Sequence, residues 1–225
     1  MIDSVIFDMD GLLIDTEPYW QKTERELMAE YGININDEMQ KATIGLRADE
    51  QINHWYKYQP WQGKTKEEIV EEFEERILNY FLVEAVLMPG ALEIIEFFHK
   101  KGLSLALASS SSLKLIQTFV DKFRLNAYFR VIHSAENENK GKPDPAVYLS
   151  TLKKLNKAEN KCLAFEDSLH GVRAAKAAGI SVVAVPESRH INDPEFKEAD
   201  MVIRRLTEFG ETEFIKLNNI NPSKL

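Results

Sequence analysis

Four short apolar runs constrain the fold of this chain more than any other feature. They are rich in aliphatic residues and end in small or acidic residues, as strands buried on both faces of a parallel sheet do. Patterns with helical spacing of apolar residues alternate with them. The runs cover residues 4–8, 103–109, 161–167 and 181–186, and the helical patterns cover residues 91–102, 112–123, 144–156 and 168–179. This alternation predicts an α/β protein with a doubly wound parallel sheet.

The segment from about residue 16 to residue 86 interrupts the alternation. It contains helical patterns only, and Gly11 and Gly90 stand near its two ends. Glycine there is typical of a turn or a hinge. We therefore expect two domains, a core of residues 1–15 and 87–225 and an inserted all-helical cap of residues 16–86.

The composition predicts a soluble globular protein, since 44% of the 225 residues are hydrophobic and 28% are charged. The formal net charge of −8 argues against nucleic acid or an acidic membrane as a partner, because both would repel the protein overall. The amino terminus lacks the basic region of a signal peptide, and no apolar stretch approaches a membrane span in length. The single cysteine excludes an internal disulfide bond. We expect a cytoplasmic protein.

Reactive side chains follow the predicted strands at the point where each strand ends. Asp8 and Asp10 follow the first run, Ser109 ends the second, and Glu166 and Asp167 close the third. Because parallel strands present their carboxyl ends at one edge of a sheet, we expect these groups to lie close together. Carboxylates gathered in this way repel one another and need a positive partner.

Mg²⁺ is a suitable partner, because it prefers oxygen ligands and takes one or two carboxylates plus substrate phosphate. Asp8 and Asp167 would supply those carboxylates. Lys142, in the loop KGKPDP ahead of a helix, would be a second positive charge. The sequence therefore predicts a site for a magnesium ion and a phosphate.

Four motifs carry a resemblance to a known family. In chain order, FDMDG, ALASS, KPDP and FEDSLHG resemble the motifs of the haloacid dehalogenase superfamily of phosphohydrolases. The helical insertion directly after the first motif resembles the first type of cap in that superfamily. The resemblance spans nearly the whole chain, and it implies a Rossmann-like core, a helical cap, Mg²⁺ as cofactor and hydrolysis of phosphate esters.

One branch of the superfamily is similar in more detail, that of bacterial hexitol phosphatases and 2-deoxyglucose-6-phosphatases. The similarity rests on DMDGLLIDTEP with Trp20, the GLR turn at 45–47, and WYKYQPWQG at 55–63. It implies a monomer that hydrolyses a small phosphorylated sugar or sugar alcohol through an aspartyl-phosphate intermediate.

The resemblance assigns catalysis to two aspartates. Asp8 would be the nucleophile that forms the aspartyl-phosphate. Asp10 would protonate the departing alcohol and then help to activate water, and its backbone carbonyl would reach the metal. The alternatives are a surface acid at the strand end for Asp8 and a turn-forming acid before Gly11 for Asp10. The intact, ordered motifs favour the catalytic interpretation.

The remaining motif residues would bind phosphate and metal. Ser109 and the backbone amides around Ser110 would hold the phosphoryl oxygens, and Lys142 would neutralise their charge. Ser111 and Ser112 are expected to cap the following helix instead. The candidate metal ligands are Asp8, Asp10, Asp167 and Glu166. For Glu166, capping of the helix that begins near residue 168 is an equally good alternative.

Substrate specificity is assigned to the cap. Glu17, Trp20 and Arg47 are the candidates to bind substrate, and Leu46 would line the same space. Arg47 would reach phosphate or sugar oxygens, and Trp20 would stack on a sugar face. The alternatives are a solvated arginine in a turn and a tryptophan packed inside the cap.

Three other functions are compatible with parts of this pattern. A sugar phosphomutase of the β-phosphoglucomutase kind shares the motifs and the cap, but such enzymes usually carry a histidine where this chain has Trp20. A dehalogenase does not need the second aspartate, so Asp10 argues against it. A non-catalytic sugar-phosphate-binding module would need no acid at Asp10 either.

Overall fold

A computed structural model of the chain describes residues 1–220, which contain a six-stranded sheet. The strands are β1 (Ser4–Phe7), β2 (Ser104–Ser109), β3 (Phe129–Ser134), β4 (Cys162–Glu166), β5 (Ser181–Ala184) and β6 (Met201–Val202). All of them pair in parallel, in the order β3-β2-β1-β4-β5-β6. The strand order reverses at β1, which is the predicted doubly wound arrangement and places a crevice beyond its carboxyl end.

Successive side chains of the central strands point into two hydrophobic layers. Val5 and Phe7 of β1 face one layer, whereas Ile6 faces the other. The core helices are α5 (Ala91–Lys100), α6 (Leu113–Lys122), α7 (Ala146–Leu155), α8 (Leu169–Ala177) and α9 (Glu211–Ile220). Helices α5, α6 and α9 cover the first layer, and α7 and α8 cover the second. Burial of both faces explains why the strands read as continuous apolar runs.

The predicted strands and core helices are present, but β3 and β6 were not predicted. Each lies at an edge of the sheet. Arg130 and His133 interrupt the apolar pattern of β3, and β6 is only two residues long. Edge strands are covered on fewer sides than central ones, so they carry a weaker apolar signal.

The segment between β1 and α5 is helical, as predicted. It contains α1 (Glu17–Glu30), α2 (Asp37–Gln40), α3 (Ala48–Tyr58) and α4 (Lys66–Val83). Across residues 1–220, no helix is both long and apolar enough to cross a membrane. The two connections to the sheet run side by side: the Asp15 N–H donates to the Val86 carbonyl at 3.0 Å, and the Met88 N–H donates to the Leu13 carbonyl at 2.9 Å.

Phe98 of α5 lies in an aromatic cluster over the sheet. Its ring contacts those of Phe7, Phe165 and Phe214 at centroid distances of 6.2, 5.7 and 5.5 Å. Phe98→Ala is expected to lower the free energy of unfolding by about 3 to 5 kcal/mol, because it opens a cavity there. Chemical denaturation measures the loss, with Leu92→Ala as control, since Leu92 lies on the same helix and is 38% exposed. Equal losses in the two variants would contradict this packing.

Candidate active site

The carboxyl edge of the sheet brings the predicted groups together. Asp8 follows β1, Ser109 ends β2 and Glu166 ends β4, and these three strands are neighbours. Lys142 precedes α7 and reaches the same edge, where its Nζ lies 2.6 Å from Asp8 Oδ1. The predicted core residues that line one pocket are Asp8, Asp10, Ser110, Lys142 and Asp167.

Lys142 is buried, with 2% of its surface exposed. Its Nζ donates to Asp8 Oδ1 and Glu166 Oε1, both at 2.6 Å, and to the Ala108 carbonyl at 3.2 Å. Burial opposes the ammonium charge, but the carboxylates of Asp8 and Glu166 hold the pKa of this lysine above its usual value. The Tyr148 ring lies 5.4 Å from the same Nζ. The site therefore contains a fixed positive charge beside Asp8.

Asp8, Glu166 and Asp167 form an acidic cluster in which one oxygen of each lies within 4.8 Å of the others. Burial raises the pKa of Asp167 well above its usual range, and the neighbouring carboxylates raise it further. Burial also raises the pKa of Asp8, against the attraction of Lys142. Within residues 1–220, the buried Glu166 Oε2 has no hydrogen-bond partner. These oxygens fit a magnesium ion, which would offset the repulsion between the carboxylates.

Asp10 is held by donors from both the core and the helical segment. Its Oδ1 accepts from Thr16 Oγ1 at 2.8 Å and from Trp20 Nε1 at 3.0 Å. Its Oδ2 accepts from Ser111 Oγ at 2.6 Å and from Ser109 Oγ at 3.3 Å. These bonds fix the orientation of the carboxyl group, as proton transfer to a bound substrate requires.

The serine run after β2 differs in part from its prediction. The prediction that Ser111 caps the following helix is wrong, because its hydroxyl donates to Asp10. Ser112 lies at the N-cap position of α6, but its side chain makes no capping hydrogen bond. The Ser110 hydroxyl donates to the Gly45 carbonyl at 2.8 Å. The hydroxyls of Ser110 and Ser111 therefore bind the helical segment and a carboxylate, and they do not cap α6.

Residues that the sequence analysis did not single out complete the site. Besides Thr16, they include Tyr148, whose hydroxyl donates to Glu166 Oε1. Ser168 caps α8, since its Oγ accepts from the Gly171 N–H at 3.1 Å. The capping alternative for Glu166 is therefore wrong. A threonine before Glu-Pro is typical of a helix N-cap, so the sequence gives no signal that Thr16 contacts an aspartate.

Three of the four predicted cap residues line the pocket, and the fourth, Arg47, binds the core elsewhere. Glu17, Trp20 and Leu46 line the pocket. Trp20 also packs edge-on against Phe73, with ring centroids 5.2 Å apart. Burial raises the pKa of Glu17 to about 7. Arg47 is not among the described residues that line the pocket, because its guanidinium donates to backbone carbonyls of the core.

The pocket wall formed by the helical segment is rich in acids and amides. It includes Glu17, Trp20, Gln21, Glu24, Gln40, Thr43, Leu46, Gln51 and Glu74. Glu24 is buried, and it accepts from Trp55 Nε1 at 2.8 Å and from Gln40 Nε2 at 2.7 Å. Among the described lining residues, Lys142 is the one cation, and it belongs to the core side. The wall offers many polar groups and no positive charge.

Known proteins resemble this chain over most of its length. The sequence model of the family described as haloacid dehalogenase-like hydrolase matches residues 5–185. Hexitol phosphatase B of Escherichia coli (strain K12) is 38% identical over 206 residues, which cover 91% of this chain and 93% of that protein. A phosphorylated carbohydrates phosphatase of Thermotoga maritima is 33% identical over 181 residues, which cover 80% of this chain and 82% of that protein.

Solved structures share the fold. CbbY from Rhodobacter sphaeroides, in complex with phosphate, matches with a TM-score of 0.83 at 27% identity, over 93% of this chain and 97% of that one. A β-phosphoglucomutase from Clostridium difficile matches with a TM-score of 0.86 over 98% of both chains, and at 21% identity this likeness shows the fold alone. With the family match and the relatives above, these observations lead to one conclusion: the chain belongs to the haloacid dehalogenase-like hydrolase family.

Proposed function

We propose that this protein is a Mg²⁺-dependent phosphatase that hydrolyses small sugar or sugar-alcohol phosphates through an aspartyl-phosphate. The observation that carries the proposal is a pair of aspartates with different partners. Asp8 contacts Lys142, whereas Asp10 accepts from hydroxyl and indole donors. The first environment suits attack on a phosphoryl group, and the second suits proton transfer. The activities named for the Escherichia coli and Thermotoga maritima relatives support this substrate class.

In the first step, a carboxylate oxygen of Asp8 bonds to the phosphorus atom while the bond from phosphorus to the alcohol oxygen breaks. Asp10 gives its proton to the departing oxygen. Lys142 offsets negative charge on the phosphoryl oxygens, and the amides around Ser110 donate to them. The Ser109 hydroxyl would join them by turning its one proton from Asp10 Oδ2 to the phosphate. The products are the free alcohol and an acyl phosphate on Asp8.

In the second step, water attacks the phosphorus atom of the acyl phosphate. Asp10, now ionised, accepts a proton from that water. The bond from phosphorus to the Asp8 oxygen breaks, which releases inorganic phosphate and restores the carboxylate. Because Thr16 and Trp20 hold Asp10 in one orientation, the same carboxyl group serves both proton transfers.

We assign the magnesium ion to Asp8, Asp167 and Glu166, with the backbone carbonyl of Asp10 as a further ligand. When bound, the ion supplies positive charge to the phosphoryl group. The assignment is supported by the acidic cluster and by the unpartnered oxygen of Glu166 among the described residues.

We also propose that residues 16–86 act as a cap domain over a core of residues 1–15 and 87–225. The paired connections near Asp15 and Met88 would be its hinge. Closure would exclude bulk water during phosphoryl transfer. Since the helical segment supplies much of the pocket wall, the cap would select the alcohol part of the substrate.

A phosphomutase is the alternative, and it would have to hold a sugar with two phosphates between its two transfers. The wall opposite the core carries Glu17, Glu24 and Glu74, with no cation among its described residues. Burial raises the pKa of all three acids, that of Glu17 to about 7, so the missing cation and not their charge decides between the two activities. A second phosphate would have no positive partner among the described residues of this wall. The lack of a cation there therefore favours the phosphatase.

Products formed from a hexose 1-phosphate distinguish the two activities. With Mg²⁺, the protein is expected to release inorganic phosphate and free hexose, because its wall disfavours the bisphosphate that a mutase needs. Hexitol, hexose and 2-deoxyhexose 6-phosphates are expected to be hydrolysed, and a hexose 1,6-bisphosphate at least about tenfold less efficiently. Enzymatic analysis of the sugar products, with p-nitrophenyl phosphate as an undemanding control, gives the answer. Accumulation of hexose 6-phosphate would identify a mutase, and inactivity on every ester would refute both.

A further inference from the structure

The turn between α2 and α3 binds the core loop that follows β3. Arg47 Nη1 donates to the carbonyl oxygens of Ala135 and Glu138, at 2.9 and 2.7 Å. Glu50 Oε1 accepts from the backbone N–H of Gly141 at 2.8 Å. Side chains of the helical segment thus satisfy backbone groups of a loop that is more than 80 residues away in sequence.

These hydrogen bonds involve charged groups; those of Arg47 are largely shielded from solvent, whereas the Glu50 side chain is 27% exposed. The Arg47 side chain is 11% exposed, and its Nη2 pairs with Asp49 Oδ2 at 2.9 Å. Glu50 Oε2 accepts from the Arg47 N–H at 3.4 Å, so one carboxylate joins the start of α3 to Gly141. A hydrogen bond with an ionised partner is stronger than a neutral one, most of all where water is excluded.

The contact lies one residue from the cation of the site. Gly141 directly precedes Lys142, whose Nζ contacts Asp8. A Cβ at Gly141 would overlap the Glu50 carboxylate and lie 2.9 Å from Arg47 Cγ, so the absence of a side chain permits the approach. The hydrogen bond from the Gly141 N–H to Glu50 therefore fixes the position of the backbone directly before Lys142.

We propose that Arg47 and Glu50 are positioning residues that couple closure of the helical segment to the placement of Lys142. The inference rests on the proposed function, which assigns Lys142 to phosphoryl transfer. In the closed arrangement, Arg47 and Glu50 hold the loop before the lysine. When the segment moves away, the Gly141 N–H and the carbonyls of Ala135 and Glu138 exchange these partners for water. The Nζ of the lysine keeps its bonds to Asp8, Glu166 and the Ala108 carbonyl in both arrangements, whereas the backbone directly before the lysine is fixed only while the substrate is enclosed.

This role predicts a different substrate dependence from direct binding of the sugar by Arg47. Lys142 acts on the phosphoryl group, which all phosphate esters share. Loss of the contact should therefore slow p-nitrophenyl phosphate and a hexitol phosphate alike. Loss of a sugar-binding residue would slow the hexitol phosphate alone.

Glu50→Ala is expected to lower kcat about 10- to 100-fold on both substrates, with KM changed by less than about threefold. Glu50→Gln keeps an acceptor for the Gly141 N–H and is expected to restore kcat to within about threefold of the wild type. Glu26→Ala is the matched control, because Glu26 is a half-exposed acid of the same segment that pairs with Lys22 at 3.9 Å. Its kcat should equal that of the wild type.

Amide hydrogen exchange tests the hydrogen bond between the Gly141 N–H and Glu50 directly, without an activity assay. With Mg²⁺ and inorganic phosphate present, the Gly141 amide should exchange about tenfold faster or more in Glu50→Ala, at an unchanged melting temperature. Unchanged kcat on both substrates, or a loss confined to the hexitol phosphate, would overturn the coupling even if exchange is faster. Full activity of Lys142→Ala would instead refute the proposed function, and the coupling with it.

Discussion

Asp8→Asn is expected to lower phosphate-ester hydrolysis by about a thousandfold or more, because an amide cannot form the acyl phosphate. The fold should persist, since asparagine has nearly the same shape and its oxygen still accepts from Lys142. The change also removes a charge from a cluster in which burial raises the pKa of Asp8. Steady-state kinetics with p-nitrophenyl phosphate and thermal melting by circular dichroism measure the two effects.

Asp121→Asn is the matched control for this variant. Asp121 is an exposed acid of α6 that does not line the pocket, and its Oδ1 accepts from Gln117 Nε2 at 3.0 Å. It is expected to keep wild-type activity and stability. A folded Asp8→Asn protein with activity near that of the wild type would show that another group attacks phosphorus.

Removal of divalent cations is expected to abolish turnover, and added Mg²⁺ to restore it. The reason is the cluster of Asp8, Glu166 and Asp167, where one carboxylate oxygen of each lies within 4.8 Å of the others. Ca²⁺ should substitute poorly, because it takes more ligands in a looser geometry that disturbs in-line transfer. Dialysis against a chelator, followed by titration with each ion, measures the dependence.

Thermal stability reports on the same metal site without turnover. An ion that binds only the folded state stabilises it by about 2.7 kcal/mol at a hundred times its Kd, so Mg²⁺ should raise the melting temperature. In Asp167→Asn this increase should be much smaller. Full activity in excess chelator, or melting that does not respond to Mg²⁺, would contradict the assignment of the cluster to a metal.

The sequence could predict the core of the site because its residues are tied to strand ends. Asp8 and Asp167 each follow a buried apolar run, and parallel strands deliver such positions to a common edge. Lys142 lies in a loop with no comparable geometric rule, and its prediction depended on the KPDP motif. The same apolar runs predict the central strands, whereas the edge strands lack them.

The contacts that orient these residues could not be predicted. Thr16, Ser111 and Tyr148 are placed by tertiary packing, and each has an ordinary local explanation in the sequence. On the helical segment, periodicity indicates which face is buried, but it does not tell whether Glu24 faces a pocket or its neighbours. Arg47 shows the limit most clearly, because it was predicted to bind substrate, with exposure to solvent as the alternative, and the structure places it against a core loop instead.

The central claim is that phosphate passes through a covalent bond to the first aspartate of the FDMDG motif. Acid quenching during turnover of a hexitol phosphate, followed by borohydride reduction, converts an aspartyl-phosphate to homoserine that peptide mass mapping can locate. We expect homoserine at position 8, formed only when substrate and Mg²⁺ are both present. Rapid turnover with aspartate intact at that position, or with homoserine at another, would contradict the account.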